Sequence, residues 1–126
     1  MLANRVRKLT EVYLLKEDGT KWLVPNDNVL ASHGYHTRNI HEITPDQLHR
    51  VPNGFRLTYA PGSVVRFGTS EDIYMVESGG VARHVPDEVV AIHLFGGDWR
   101  ERWYVVEETL ASDYHVGDPL PTPVLE

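Results

Sequence analysis

Apolar residues fall into paired short runs around a polar, glycine-containing centre at two places in the chain. The first is VYLLKEDGTKWLVP (12–25), and a looser copy, IYMVESGGVARHVP (73–86), follows sixty-one residues later. β-Branched and aromatic runs of this length are typical of strands. Asp18-Gly19 and Gly79-Gly80 provide the positive φ angles that a tight turn requires. Each return strand stops at a proline, which cannot donate to a sheet. Both stretches therefore predict β-hairpins.

The two hairpins belong to a longer internal repeat. With Tyr13 set against Tyr74, the matches lie mostly at apolar and glycine positions, which determine fold rather than chemistry. The matched pairs include Leu14/Met75, Gly19/Gly80, Val24/Val85, Pro25/Pro86, Val29/Val90, Gly34/Gly96, Leu48/Leu110, Gly54/Gly117 and Leu57/Leu120. The duplication is therefore interpreted as structural.

Each copy predicts the same series of elements around its hairpin. A strand is expected before it, at Arg5–Leu9 or Ser63–Phe67. A short helix follows, capped by Asn26 or Asp27 and ended by Gly34, or capped by Asp87 and ended by Gly96. An extended link comes next, at Ile40–Ile43 or Trp103–Val106, and then a second short helix. Thr44-Pro45-Asp46-Gln47 is a capping box that begins this helix over Asp46–Val51, and its counterpart at Glu107–Asp113 is less well capped.

These elements predict an α+β fold of two similar units. Each unit is expected to be a small antiparallel three-stranded sheet with two short helices. The units are assigned to residues 1–60 and 61–120, and the Pro-rich residues 121–126 are expected to form an extended tail. Because a unit of about sixty residues is marginal alone, the two are expected to pack together with pseudo-twofold symmetry. Two separate units on a short linker are the alternative.

The same residues resemble a short repeat of bacterial and phage surface proteins, whose usual form is VYLIENGKKRWIP followed by a helix and an aromatic after glycine. The resemblance implies a non-catalytic attachment module and no catalytic residues. The usual hosts are exported, and the lack of an export signal here favours a virion component. The matching residues are Val12–Leu14, Gly19, Lys21–Pro25 and Gly34-Tyr35 in the first half, and Ile73–Met75, Gly80, Arg83–Pro86, Gly96 and Trp99 in the second.

Composition and charge narrow the classes of partner. The 126 residues include no cysteine, and the net charge is −6. Residues 1–60 hold eight Lys/Arg and six Asp/Glu, giving +2, whereas residues 61–126 hold four and twelve, giving −8. The acidic half argues against nucleic-acid binding. A solvated surface with uneven charge is the simpler interpretation of the asymmetry, and head-to-tail contact between copies, as in a homo-oligomer, is the alternative.

The sequence also carries predictions about location. No apolar run approaches the roughly 18 residues that span a bilayer, so membrane insertion is not expected. The start, MLANRVRKLTEVYLL, lacks the long apolar core of a signal peptide. The expected location is a virion or a cell surface after synthesis in the cytoplasm.

Candidate chemistry is sparse. His33, His36 and His41 could hold zinc, with His49 nearby, but their spacing is not a recognised ligand pattern and the second unit does not repeat them. Glu107-Glu108 are neighbours whose side chains should diverge, which does not suit paired acid–base work. We therefore predict no catalytic residue, metal or cofactor, and expect that the protein is not an enzyme.

Aromatic residues are the best candidates for binding. Trp22, Tyr35 and Trp99 are large and partly polar, and Arg83 occupies the place of Trp22 in the second unit. Of these, Trp22 and Trp99 are expected to be the most exposed. The leading hypothesis is a structural or interaction protein that binds protein partners in a larger assembly. The alternatives are a module that binds cell-wall or capsule glycan and, more weakly, a small metal-dependent hydrolase using His33, His36 and His41.

Overall fold

The computed structural model describes residues 2–6, 9–36, 38, 40–99 and 103–121. The chain divides into two compact units, Met1–Tyr59 and Ala60–Glu126. Both contain a β-sheet and short helices, so the predicted α+β class is confirmed.

In its described residues, the first unit is a five-stranded sheet with two short α-helices. Its strands pair in the order β4-β1-β2-β3-β5. The elements are β1 (Leu2–Val6), β2 (Leu9–Leu15), β3 (Lys21–Leu23), α1 (Asp27–Ser32), β4 (His41–Glu42), α2 (Pro45–His49) and β5 (Asn53–Arg56).

The second unit repeats this series with one change of helix type. Its sheet order is β10-β8-β7-β6-β9, and a 3-10 helix stands where the first unit has α2. The elements are β6 (Val64–Phe67), β7 (Ile73–Glu77), β8 (Val81–His84), α3 (Glu88–Phe95), β9 (Tyr104–Val106), the 3-10 helix (Glu108–Asp113) and β10 (His115–Val116).

Strand order and register agree between the two sheets. In both, three consecutive strands are antiparallel, the fourth joins the first in parallel, and the fifth joins the third in parallel. Tyr13 pairs with Leu23 on the neighbouring strand. Tyr74 pairs with His84 in the second sheet. Tyr74 lies sixty-one residues after Tyr13, and His84 lies sixty-one residues after Leu23. The register found within each hairpin is therefore the same as the one that the sequence alignment implies.

The edge strands correct the prediction of three-stranded sheets. The predicted extended links are strands β4 and β9, which pair in parallel with β1 and β6, and β5 and β10 were not predicted. The first strand was also misplaced, since β1 is Leu2–Val6 and Leu9 already belongs to β2. The parallel pairs Leu2–His41 and Val65–Tyr104 show that Leu2 corresponds to Val65, so the predicted equivalence of the strands Arg5–Leu9 and Ser63–Phe67 was wrong.

The helix starts follow the capping chemistry of the sequence. The side chain of Asn26 accepts a hydrogen bond from the backbone N–H of Val29, and Asp87 accepts one from Val90 in the second unit. The predicted capping box of α2 is confirmed, because Thr44 and Gln47 exchange side-chain-to-backbone hydrogen bonds of 3.1 and 3.0 Å. Backbone donors at these three helix ends are thereby satisfied.

Equivalent apolar residues form the core of each unit. Val29 and Val90 are almost completely buried, and so are their chain neighbours Leu30 and Ala91. In the second unit the core cluster consists of Val64, Ile73, Val85, Val90, Ala91, Trp99 and Leu120. In the first unit Lys21 is buried with the apolar residues, and its Nζ donates a 2.7 Å hydrogen bond to the backbone oxygen of Leu48. The charged end of Lys21 thus ties β3 to α2.

The repeated glycine of the fifth strand has a packing role. A Cβ on Gly54 would enter the space of the Trp22 indole, and a Cβ on Gly117 would lie 2.8 Å from Cγ1 of Val81. Real Cβ atoms do not approach other atoms as closely as either of these two would. Glycine leaves room for the side chain of Trp22 in β3 and for that of Val81 in β8, which explains the match of Gly54 with Gly117.

Candidate functional site

Trp22 lies in an ordered cluster at the hairpin of the first unit. The ring is half-buried over Gly54, and its Nε1 donates a 2.9 Å hydrogen bond to Oγ1 of Thr20. The Thr20 hydroxyl in turn donates to Oδ1 of Asp18 at 2.6 Å. The Lys16 ammonium lies 4.9 Å from the ring centroid of Trp22. The hairpin turn therefore fixes the orientation of the indole.

Two ionisable groups of this hairpin have shifted pKa values. Hydrogen bonds from the side chain and backbone of Thr20 lower the pKa of the Asp18 carboxyl, because they stabilise its charged form. Burial, followed by the hydrogen bond to Glu11 and the charge of Glu11, raises the pKa of Tyr13 to about 12. Both groups lie on the β2–β3 hairpin, so these shifts report its native geometry.

An exposed phenylalanine extends the Trp22 cluster. The Phe55 ring meets the Trp22 ring edge-on, with centroids 5.5 Å apart, and 76% of Phe55 is exposed. Phe55 carried no local sequence signal as a binding residue, because its exposure depends on β5, the strand that was not predicted. Together, Trp22 and Phe55 form an aromatic surface beside the Lys16 ammonium.

The other predicted binding residues have different surroundings. Tyr35 is exposed just after α1. Arg83 is half-buried and binds within its own unit: it forms a 3.1 Å ion pair with Glu77 and donates from Nε to the backbone oxygen of Asp118 at 2.9 Å. Arg83 lies on β8 and its bond to Asp118 holds the segment after β10 against that strand. The contacts of Arg83 are therefore structural.

The prediction that Trp99 is exposed was wrong. Only 7% of this residue is accessible, and it belongs to the core cluster with Val64 and Val90. Its ring meets that of Trp103 edge-on at 6.4 Å between centroids. The chain after α3 folds back onto the sheet, which a local sequence pattern could not indicate.

The predicted binding residues are thus split between the two units: Trp22 and Tyr35 belong to the first, and Arg83 and Trp99 to the second. The second unit contains a cleft of about 480 Å³, and its lining includes Trp99, Trp103 and four acidic residues. The acidic lining residues are Glu71, Asp72, Asp87 and Glu88. Sequence reasoning missed this cleft, because three separate connections contribute to it.

Helix α3 exposes three large apolar residues, Val89, Ile92 and Leu94, hereafter together called the α3 surface; Val89 and Ile92 lie one helical turn apart, and Leu94 lies on another side of the helix. These residues are 57, 47 and 49% exposed, respectively. Val90 and Ala91 of the same helix are buried in the core. The sequence did contain the signal, since EVVAIHLF is apolar around nearly its whole circumference, and such a helix is usually buried on every side.

His33, one of the histidines considered as metal ligands, contacts the backbone instead. Nε2 of His33 lies 2.7 Å from the backbone oxygen of Thr58, so this nitrogen carries a hydrogen and donates it. Within the described ranges, no three His, Asp or Glu residues lie in an arrangement that could hold a metal ion. The geometry gives no support to the hydrolase hypothesis based on His33, His36 and His41.

Comparisons of the chain with protein-family models, with curated proteins and with solved structures gave no match. The resemblance to the bacterial and phage surface repeat stays a prediction. In the described part of the chain, no helix is long and apolar enough to cross a membrane. Function must therefore be argued from the surfaces of the two units.

Proposed function

We propose that this chain is a non-catalytic interaction protein, built from two copies of an attachment repeat, that binds protein partners in a larger assembly. The assembly is a phage virion or a cell-surface structure. The α3 surface is the observation that carries this proposal. The shared strand order and register of the two sheets support the repeat, and pseudo-twofold packing of the units is part of the same proposal.

The α3 surface is unusual because several large apolar residues are exposed on one short helix. Val89 and Ile92 are one helical turn apart and therefore neighbours on its surface. Single exposed apolar residues are common, but grouped ones mark sites of protein contact. Covering such side chains is worth roughly 25 cal/mol for each Å² of apolar surface removed from water.

The first unit shows that the fold does not require this surface. At the positions equivalent to Val89, Ile92 and Leu94, helix α1 and its end carry Asn28, Ala31 and His33. Both helices nevertheless bury the same valine against their sheets, Val29 in α1 and Val90 in α3. The apolar residues of α3 are therefore an addition to the repeat, and contact with a partner gives them a purpose.

Exchanging the two helix surfaces tests the proposal. We would replace Val89→Asn, Ile92→Ala and Leu94→His together, and use Asn28→Val with Ala31→Ile as the matched control in α1. Labelled protein is mixed with virions or cell envelopes of the source organism and sedimented, and its self-association is measured by analytical ultracentrifugation. Wild type and the α1 control should sediment with the assembly or self-associate, and the α3 variant should lose this. Wild type that stays monomeric and in the supernatant with every preparation would overturn the proposal.

A second candidate, glycan binding, is favoured by the Trp22–Phe55 surface. Two aromatic rings beside a lysine suit stacking on a sugar ring with a polar contact at its edge. Because Trp99 is buried, replacing it would test folding rather than binding. A glycan array should therefore compare wild type with Phe55→Ala, using the exposed Val116→Ala in the second unit as a control. Binding that Phe55→Ala alone removes would favour this function, and absence of binding would exclude it.

A further inference from the structure

The cleft of the second unit combines aromatic walls with negative charge. Its lining includes Ile73 and Val85, which belong to the core cluster, and the residues Trp99 and Trp103. Glu71 and Asp72 come from the connection between β6 and β7, and Asp87 and Glu88 from the start of α3. All four acidic residues are exposed. A ligand in this cleft would contact indole rings and carboxylates together.

These groups favour a cation over an anion or a neutral ligand. Indole faces attract guanidinium and ammonium groups within about 6 Å of the ring centroid. The same unit already shows one such contact, because Cζ of Arg66 lies 4.7 Å from the ring centroid of Trp103. Carboxylates add the charge-assisted hydrogen bonds that a guanidinium group makes best. The net charge of −8 over residues 61–126 attracts a basic partner from a distance.

We propose that this cleft binds an arginine side chain from a basic segment of a protein partner. The inference rests on the proposed interaction function, and it names the chemistry of a partner segment that would contact residues other than Val89, Ile92 and Leu94. Inside the cleft, Nε2 of His84 lies 3.7 Å from Oδ1 of Asp72. An incoming guanidinium would make a stronger bond to Asp72, because it is always charged and presents several donors.

The first unit provides an internal comparison. At the places of Asp72, His84 and Trp103 it has Glu11, Leu23 and Ile40. The first unit therefore keeps an acidic residue at the position of Asp72. It has aliphatic side chains in place of the His84 imidazole and the Trp103 indole. We expect the first unit not to bind the same ligand.

Indole N–H signals in nuclear magnetic resonance spectra of the full chain test the proposal. The chain has three tryptophans, so Trp99 and Trp103 report on the cleft and Trp22 serves as an internal reference. The probe is a tri-arginine peptide, and a tri-citrulline peptide of nearly the same shape but without charge is the control. Tri-arginine should shift the Trp103 and Trp99 signals in a saturable way, and leave Trp22 unchanged. The response should weaken as salt rises from about 0.01 to 1 M, because the screening length falls from about 30 to 3 Å.

Variants of the acidic residues test whether they bind the arginine peptide. Glu71→Gln with Asp72→Asn should weaken tri-arginine binding at least tenfold, whereas Glu11→Gln, the equivalent change in the first unit, should not. Three results would each overturn the inference: equal shifts with tri-citrulline, equal shifts of Trp22, or unchanged affinity in the double variant. The salt series on wild type decides the matter if the double variant does not fold.

The interaction function and the arginine-binding cleft can be refuted independently of each other. If wild type binds its assembly through the α3 surface but ignores tri-arginine, the cleft inference is wrong and the interaction function stands. If tri-arginine binds as expected but wild type neither joins an assembly nor self-associates, the cation site stands and the proposed function is wrong.

Discussion

Replacing Gly54 with alanine should destabilise the first unit because of one side chain, Trp22. The added methyl group would overlap the indole, which is held by its hydrogen bond to Thr20 and cannot turn away freely. Forcing an extra carbon into a packed site costs about 1–3 kcal/mol of unfolding free energy, and loss of the hydrogen bond adds about 1 kcal/mol. Reduced backbone entropy of the unfolded chain offsets roughly 0.5–1 kcal/mol. The expected net loss is about 1–3 kcal/mol.

A double-mutant cycle separates this cause from a general effect on the strand. In a Trp22→Ala background the ring is absent, so Gly54→Ala should be neutral or stabilise by up to about 1 kcal/mol. Gly97→Ala is a control, because a Cβ there meets no atom within 4 Å. Urea unfolding is followed through the backbone amide signals of Leu14 and Lys21, which report on the first unit alone. An equal loss of stability with and without the Trp22 ring would refute this reasoning.

Three further predictions concern other contacts within the two units. Glu11→Gln should lower the pKa of Tyr13 from about 12 towards 10.0, as measured by ultraviolet absorbance with Tyr13→Phe as the reference. The folded state holds the Tyr13 proton more tightly than the unfolded state does. The stability that this proton contributes is therefore complete below pH 10.0 and disappears as the pH rises towards 12. Thr44→Ala should cost about 1 kcal/mol by removing the capping box, seen as faster amide exchange in α2. Val29→Ala and Val90→Ala should each cost about 2–3 kcal/mol in urea unfolding of their own unit, and a smaller loss at either site would show that it is loosely packed.

Local sequence signals predicted the parts of the fold that depend on neighbouring residues. The hairpin turn at Gly19 has the positive φ that the Asp-Gly pair indicated, and Thr44 makes both capping bonds. β-Branched and aromatic runs located β2, β3, β7 and β8 for the same reason. In each case the chemistry that forms the element lies within a few residues of it.

The missed features depend on residues that are distant in sequence. Strands β5 and β10 are short, and they exist because they pair with β3 and β8 about thirty residues earlier in the chain. Trp99 is buried because the connection after α3 returns to the sheet. The cleft likewise requires three connections to meet. The repeated glycine at positions 54 and 117 was the one available sign of the fifth strands, and its meaning depends on Trp22 and Val81.

The central claim is that one unit occurs twice and that its binding surfaces were added to a shared frame. Cross-strand nuclear Overhauser effects in the intact, isotope-labelled protein test it most directly. The account predicts contacts between Tyr13 and Leu23 and between Tyr74 and His84, together with the parallel pairs Leu2–His41 and Val65–Tyr104. A second half in which β6 and β9 do not pair, or pair in another register than β1 and β4, would contradict it.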